Sequence, residues 1–456
     1  MNPTPLLILV VTTIAAFCTS FAASSVNVAL PILGQDLHMG AVAVNWVVTA
    51  YVLTSAVFVM PLGRLADRWG RHRVFRWGMI AYCVGSATAV FSWNPEWLIA
   101  ARALTGLGAA MTFVTATAVL VAAYPPHERG RVLGINVAMV YFGLSAGPAL
   151  GGVIVQWLGW RGLFVVHAAL AAIAVVLLLW KLRIHDQMHL PGRFDFGGSL
   201  LYGAGLAALL IGVSQLPNLT GAILVGSSIC LLVFFWIVEQ RRPNPILPVS
   251  LFLKNRTFAF SNLAAMISYS ATFAVAFFLS LYLEVVRGLS PSITGLLLIS
   301  QPLIQAIFSP LTGRLSDRVS PRLLASLGMA LTALGLAGIS FLGTSTPIAF
   351  ILGDLILLGL GFALFSSPNT NAIMGSVEKP DLGLASATVA TMRIVGQMLS
   401  MALALVLMSL FVGQQPLGPA SAADFLTAQQ WAGAISAVLC ALGIVASLAR
   451  GSLRTS

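Results

Sequence analysis

Along the 456-residue chain, uncharged apolar runs of roughly twenty residues or more alternate with short segments holding the charges and the turn-forming Pro and Gly. A bilayer's hydrocarbon core takes about 20 apolar helical residues, so the pattern predicts membrane-spanning helices. Cut at charges and turn residues, the chain gives fourteen: 6–30, 42–63, 74–92, 97–121, 132–157, 162–181, 197–215, 220–238, 257–283, 292–312, 323–342, 348–371, 383–411 and 429–449. Two cuts rest on turn chemistry alone. They fall at Gln215-Leu216-Pro217-Asn218-Leu219-Thr220-Gly221 and at Gly343-Thr344-Ser345-Thr346-Pro347, where Pro and Gly favour a loop.

Composition narrows the class. The chain is 58% hydrophobic and 8% charged, with a mean hydropathy of +0.95, whereas soluble domains carry about 25% charged residues. Soluble enzymes, disulfide scaffolds and disordered polymers are excluded, and an all-α integral membrane protein embedded in the lipid bilayer remains. The net charge of +11 comes from 24 Lys and Arg, 21 of them Arg, against 13 Asp and Glu. These cations form no continuous basic face, so nucleic acid is not an expected partner. With fourteen helices, 20 of them fall in loops on one side or in the C-terminal tail, and only Arg161 and Arg287 in loops on the other. That bias predicts both termini in the cytoplasm. Cys18, Cys83, Cys230 and Cys440 lie inside apolar runs without metal-site spacing. The first apolar run is too long for a cleaved signal peptide, so the first helix is expected to be retained.

An internal repeat organises the helices. Pro61-Leu62-Gly63-Arg64-Leu65-Ala66-Asp67-Arg68 returns, with Thr312 inserted, as Pro310-Leu311-Thr312-Gly313-Arg314-Leu315-Ser316-Asp317-Arg318, and Gly63 precedes Gly313 by 250 residues. Repeats in a polytopic chain point to a transporter of two similar bundles with its substrate between them near the bilayer midplane. The expected layout is a six-helix bundle over 1–185, a linker with two extra helices over 186–250, and a second six-helix bundle over 251–456.

The sequence resembles the major facilitator superfamily, in particular its fourteen-helix drug:proton antiporter branch. Gly63 to Arg73 looks like the superfamily's loop 2-3 signature, and Arg102-Ala103-Leu104-Thr105-Gly106-Leu107-Gly108 is similar to the Arg motif of the fourth helix. The segment Gly143-Leu144-Ser145-Ala146-Gly147-Pro148-Ala149-Leu150-Gly151-Gly152 resembles the antiporter motif of helix five. Val26-Asn27-Val28-Ala29-Leu30-Pro31 is similar to the first-helix ending of the branch, and Asp195-Phe196-Gly197-Gly198 to the start of its helix seven. The resemblance implies a secondary transporter rather than an enzyme, and the basic, Arg-rich loops with no targeting element lead us to expect a cell inner membrane. The resemblance also implies export of lipophilic small molecules, including drugs, by alternating access and proton antiport. The expected energy source is the proton gradient, with no cofactor, and the chain is expected to act as a monomer.

Several residues are candidates for this work. Asp67, with Arg64, Arg68, Arg71 and Arg73, sits at a cytoplasmic helix junction, where a carboxylate can meet guanidinium groups and a helix dipole. The resemblance implies a gate that holds the cytoplasmic side closed, with Asp317, Arg314 and Arg318 as a shorter copy. Gly143, Gly147 and Gly151 share one helix face that lets another helix approach, beside the bend at Pro148 and next to Gly152. The resemblance implies a seal between the bundles there.

Charges within the membrane are functional candidates by default. They are Arg102, Asp354 and Arg393, with Glu284 at the outer end of helix nine. The branch usually carries an Asp in helix one where this chain has Ala22, leaving polar neighbours such as Ser24 and Asn27 that cannot titrate. Proton coupling is therefore expected on Asp354. Two intramembrane cations against one carboxylate favour neutral or anionic lipophiles over organic cations. The missing first-helix acid also permits a second reading, an exporter or facilitator of a specific metabolite without proton coupling. A membrane-embedded enzyme would need a catalytic constellation, and neither that nor a GxxxxGK[ST] nucleotide loop occurs. His185 and His189 are spaced for a metal but read as a solvated linker, and His167 as a packed core residue.

Overall fold

The computed structural model of the chain describes residues 5–39, 41–181, 194–216, 218–242, 245–247, 249–413 and 421–451. His185, Asp186 and His189, with the expected junction at 185/186, lie outside them. The described chain is helical because lipid offers backbone N–H and C=O groups no partner, and a helix pairs them within itself. The helices are α1 (Pro5–Asp36), α2 (Ala41–Trp69), α3 (Arg71–Val90), α4 (Pro95–Ala123), α5 (Pro126–Lys181), α6 (Phe196–Ser214) and α7 (Leu219–Glu239). After the short α8 (Val249–Lys254) come α9 (Arg256–Thr272), α10 (Val275–Leu281), α11 (Pro291–Leu298), α12 (Ser300–Ser316), α13 (Pro321–Ser340), α14 (Ile348–Gly375), α15 (Leu382–Phe411) and α16 (Ala422–Ala449).

Among the described residues, twelve helical stretches are long and apolar enough to cross a membrane by length and composition, not the fourteen expected. Two features account for the difference. The expected fifth and sixth helices run on as one element, α5, broken only at Gly159, where φ is 69° and ψ 176°. The expected third helix is α3, which opens Arg71-His72-Arg73 and adds Arg76, so it is less apolar than the twelve.

Two groups of helices pack face to face. In the first, α1 lies on α5, and α4 on α2 and α3; in the second, α13 lies on α14 and α16, α12 on α14, and α9 on α15 and α16. The repeat reappears in this packing. A Cβ on Gly78 would come 2.9 Å from the Thr112 nitrogen of α4, and one on Gly328, 250 residues later, 2.6 Å from the Phe365 nitrogen of α14, so both pairs rely on glycine for close approach. Between the groups, α5 crosses α12 and α2 crosses α15. The α6–α7 hairpin leans on both, since the Tyr202 hydroxyl meets Thr391 Oγ1 of α15 at 2.9 Å and the Ala56 carbonyl of α2 at 3.4 Å. Large apolar side chains such as Trp157, Leu200, Phe341 and Leu410 point outward, which suits a lipid surround.

Candidate functional site: a central cavity above a double latch

A cavity lies between the two groups of helices, with about 710 Å³ of empty space, part of it open to the surroundings. Its walls come from both: Thr19, Thr112, Phe113, Asn136 and Tyr141 on one side, Tyr269, Ser366, Thr370, Ser386 and Arg393 on the other. At 1.5 Å per residue, Arg393 stands about 16 Å from the start of α15, about half the depth of a ~30 Å hydrocarbon core. Tyr141 and Tyr269 hold the Phe362 ring between them, at 5.6 Å and 5.4 Å in edge-on geometry. The Arg393 guanidinium stacks over Phe113 at 4.2 Å, its buried Nε has no hydrogen-bond partner, and among the described residues no carboxylate pairs with it.

The other intramembrane charges are elsewhere. Arg102 is fully buried within the first group of helices, with Nε donating to the Val47 carbonyl at 3.0 Å and the guanidinium 4.5 Å from the Tyr51 ring; it does not line the cavity, and its two Nη atoms have no partner. Ala22, where an acid was expected, is buried in α1. Asp354 is 8% exposed and faces α13, where a Cβ on Gly338 would sit 2.7 Å from its Oδ1, so it too is absent from the cavity wall. Glu284 sits in a π-helical turn (Tyr282–Val286) and accepts a 3.3 Å bond from Ser280. Asn27 is exposed, and Ser24 donates to the Ser20 carbonyl at 3.2 Å and the Gly143 carbonyl at 3.4 Å.

Beneath the cavity, two carboxylates join the two groups of helices. Asp67, at the end of α2, accepts from the Gly383 and Leu384 amides at 2.9 Å each, which are free donors at the start of α15. Asp317, at the end of α12, accepts from the Gly130 and Arg131 amides at 2.7 Å and 3.0 Å, at the start of α5. The two joints repeat one design. Asp317 follows Asp67 by 250 residues and Gly383 follows Gly130 by 253, so each half offers a carboxylate to the matching helix of the other.

Glycines allow the joints to close. A Cβ on Gly63 would overlap Ala387, and one on Gly313 the Gly130 carbonyl. Arg71 pairs with Asp67 at 2.7 Å and donates to the Lys379 and Pro380 carbonyls, while Arg64 reaches Asp381 at 3.2 Å and the Pro245 carbonyl at 3.2 Å. Arg68 is buried. In the second copy the expected arginine cluster does not form around Asp317, because Arg314 and Arg318 are exposed and the backbone amides take the carboxylate. Burial raises the Asp317 carboxyl above its ordinary value, and the two amides pull it back.

The helix-five motif lies apart from this interface. Gly143 and Gly151 fit against α1, a Cβ on them coming 2.8 Å from the Phe17 carbonyl and 3.0 Å from Ser25 Cβ, and Gly147 packs on Ser24. Pro148 is exposed, and a Cβ on Gly152 would come no nearer than 3.8 Å, to Val28. The motif's glycine face thus joins two helices of one group, rather than sealing the two groups together.

The sequence is matched by the model of the Major Facilitator Superfamily over residues 12–285 and again over 261–454. The chain belongs to that superfamily. It is 32% identical to the multidrug resistance protein Stp of Mycobacterium tuberculosis (strain CDC 1551 / Oshkosh), covering 88% of this chain and 75% of the relative. It is 28% identical to the riboflavin transporter RibZ of Clostridioides difficile (strain 630), covering 85% and 84%. Its fold matches the crystal structure of the human organic anion transporter MFSD10 (TETRAN) with a TM-score of 0.67 at 14% identity, over 98% of this chain and 100% of that one. The protein is therefore a multi-pass membrane transporter of a family whose members here are transporters, not enzymes.

Gly130, Gly383, Leu384 and Asp381 were not among the residues singled out from the sequence. Glu128-Arg129-Gly130 and Asp381-Leu382-Gly383 both place an acid two positions before a glycine. That match could have flagged them once the repeat was known.

Proposed function

We propose that this protein exports lipophilic small molecules from the cytoplasm by alternating access. One observation carries the reading: a mid-membrane cavity, walled by both halves, stands directly above a cytoplasmic closure made of two matched, breakable joints. Breaking the joints would open the cavity inward for loading; remaking them would commit the load to the outside. The names of the relatives, a multidrug resistance protein and a riboflavin transporter, support a small-molecule cargo. Fourteen crossings with both termini in the cytoplasm, in a cell inner membrane, belong to the same proposal. The break at Gly159 supports two crossings in α5, and the 20-residue length of α3 supports one more.

Proton antiport through Asp354 is one coupling scheme, supported by a buried intramembrane carboxylate. Export without proton exchange is the other, and it draws support from a cavity wall with no Asp or Glu among the described residues. Everted vesicles separate them. Under antiport, lipophilic probes collapse an imposed pH gradient, and Asp354→Asn abolishes the response. Probe accumulation with no pH response in either protein would remove antiport and leave export standing. If the vesicles accumulate none of the probes, export fails as well.

A further inference from the structure

Among the described residues, the wall of the central cavity carries one formal charge, Arg393, and no carboxylate pairs with it. A guanidinium at mid-membrane is costly to keep and normally finds a counter-ion. Here its Nε is buried without a partner, while Phe113 covers one face of the group at 4.2 Å and leaves its donor edge for something else. An anion on that edge would gain charge-assisted hydrogen bonds, two at once for a carboxylate or sulfonate. Tyr141 and Tyr269 add aromatic surface to the same space.

Resting on the export reading, we propose that the cargo is an aromatic anion held by Arg393, and that the membrane potential, not an exchanged proton, drives it out. Over a full cycle Arg393 returns to where it began, so the net charge moved is that of the cargo. The cytoplasm is the negative side in an energised cell, and each ~59 mV supports about a tenfold outward gradient of a monovalent anion. No titrating carrier is required, which fits Ala22 at the usual acidic position of helix one and Asp354 turned away from the cavity.

The test uses the full chain in proteoliposomes, with equal pH on both sides and a potential set by a potassium gradient and valinomycin. Three probes are compared: 8-anilinonaphthalene-1-sulfonate as anion, N-phenyl-1-naphthylamine as the same frame without the sulfonate, and ethidium as cation. Sulfonate flux is expected to follow the potential and to reverse with it. Arg393→Gln should cut that flux by at least about tenfold, the equivalent of one lost charge-assisted bond, while flux of the neutral probe persists. Arg393→Lys should restore part of it. The proposal is overturned if sulfonate flux ignores the potential or the Arg393→Gln change, or if ethidium is preferred. Movement of the neutral probe without the sulfonate would also overturn it and leave export standing; movement of none of the three would sink both.

Discussion

Asp67 and Asp317 join the two groups of helices through four backbone hydrogen bonds, and their surroundings rank them. Asp67 is 3% exposed and also paired to Arg71, whereas Asp317 is only partly buried and has the amides alone. Charge-assisted bonds of this kind contribute about 1.5–3 kcal/mol each, so Asp67→Asn is expected to open the inner side about tenfold or more, and Asp317→Asn less. Labelling of a Thr370→Cys reporter by an impermeant thiol reagent from the cytoplasmic face measures this; equal rates in wild type and both variants would show that these carboxylates do not gate. A further clip lies within the first group of helices, where Trp160 and Arg161 of α5 each donate to Asp36 of α1 at 2.8 Å. The Trp160 and then the Arg161 bond lower the Asp36 carboxyl below its ordinary 3.8. A lowered value means the clip is fully present above about pH 4 and lost as pH falls below it. Acid-dependent tryptophan emission that Asp36→Asn abolishes would report the loss, and emission identical in the two proteins would refute it.

Helix contacts divide the glycines into two kinds that sequence spacing alone could not separate. Gly143, Gly147 and Gly151 recur every fourth residue, and that period was legible as a close-packed face. Its partner was not, because any helix can fill such a face, and the helix that does is α1 of the same half. Gly63 and Gly313 looked like parts of a charged loop motif, yet they lie where one half crosses the other. The two kinds should fail differently on substitution. Gly147→Ala overpacks α1 against α5 inside one half, so about 1–3 kcal/mol of folding stability should be lost, seen as a lower melting temperature in detergent. Gly313→Ala pushes the halves apart at Gly130, so it should raise Thr370→Cys labelling from the cytoplasmic face with little change in melting. The reverse pattern would mean that the assignment of these faces is wrong.

At the scale of the whole molecule the repeat builds two similar joints between the halves, and this explains what the sequence could and could not convey. Gly63 to Asp67 and Gly313 to Asp317 were legible as copies because each lies within one short segment; the amides that donate to them, at Gly383 and Gly130, were not, because each belongs to the opposite half. The cavity charge was misjudged for the same reason: apolar flanks place Arg102, Asp354 and Arg393 in the membrane, but only the packing of neighbouring helices decides which of them faces inward. The repeat also bears on the number of crossings, since two six-helix halves with a hairpin between them require both α3 and the two limbs of α5 to span. At 56 residues α5 would be about 84 Å long if straight, far beyond a ~30 Å core, so the proposed fourteen crossings place the turn at Gly159 at a membrane surface. Single cysteines at four exposed positions test this: Trp69 and Trp93 bracket α3, while His127 and Leu158 bracket the first limb of α5. An impermeant reagent should reach Trp93→Cys and Leu158→Cys only from outside, and Trp69→Cys and His127→Cys only from the cytoplasm. Labelling of Trp69→Cys and Trp93→Cys from one side would mean that α3 does not cross, and the two halves would then no longer be related by the repeat.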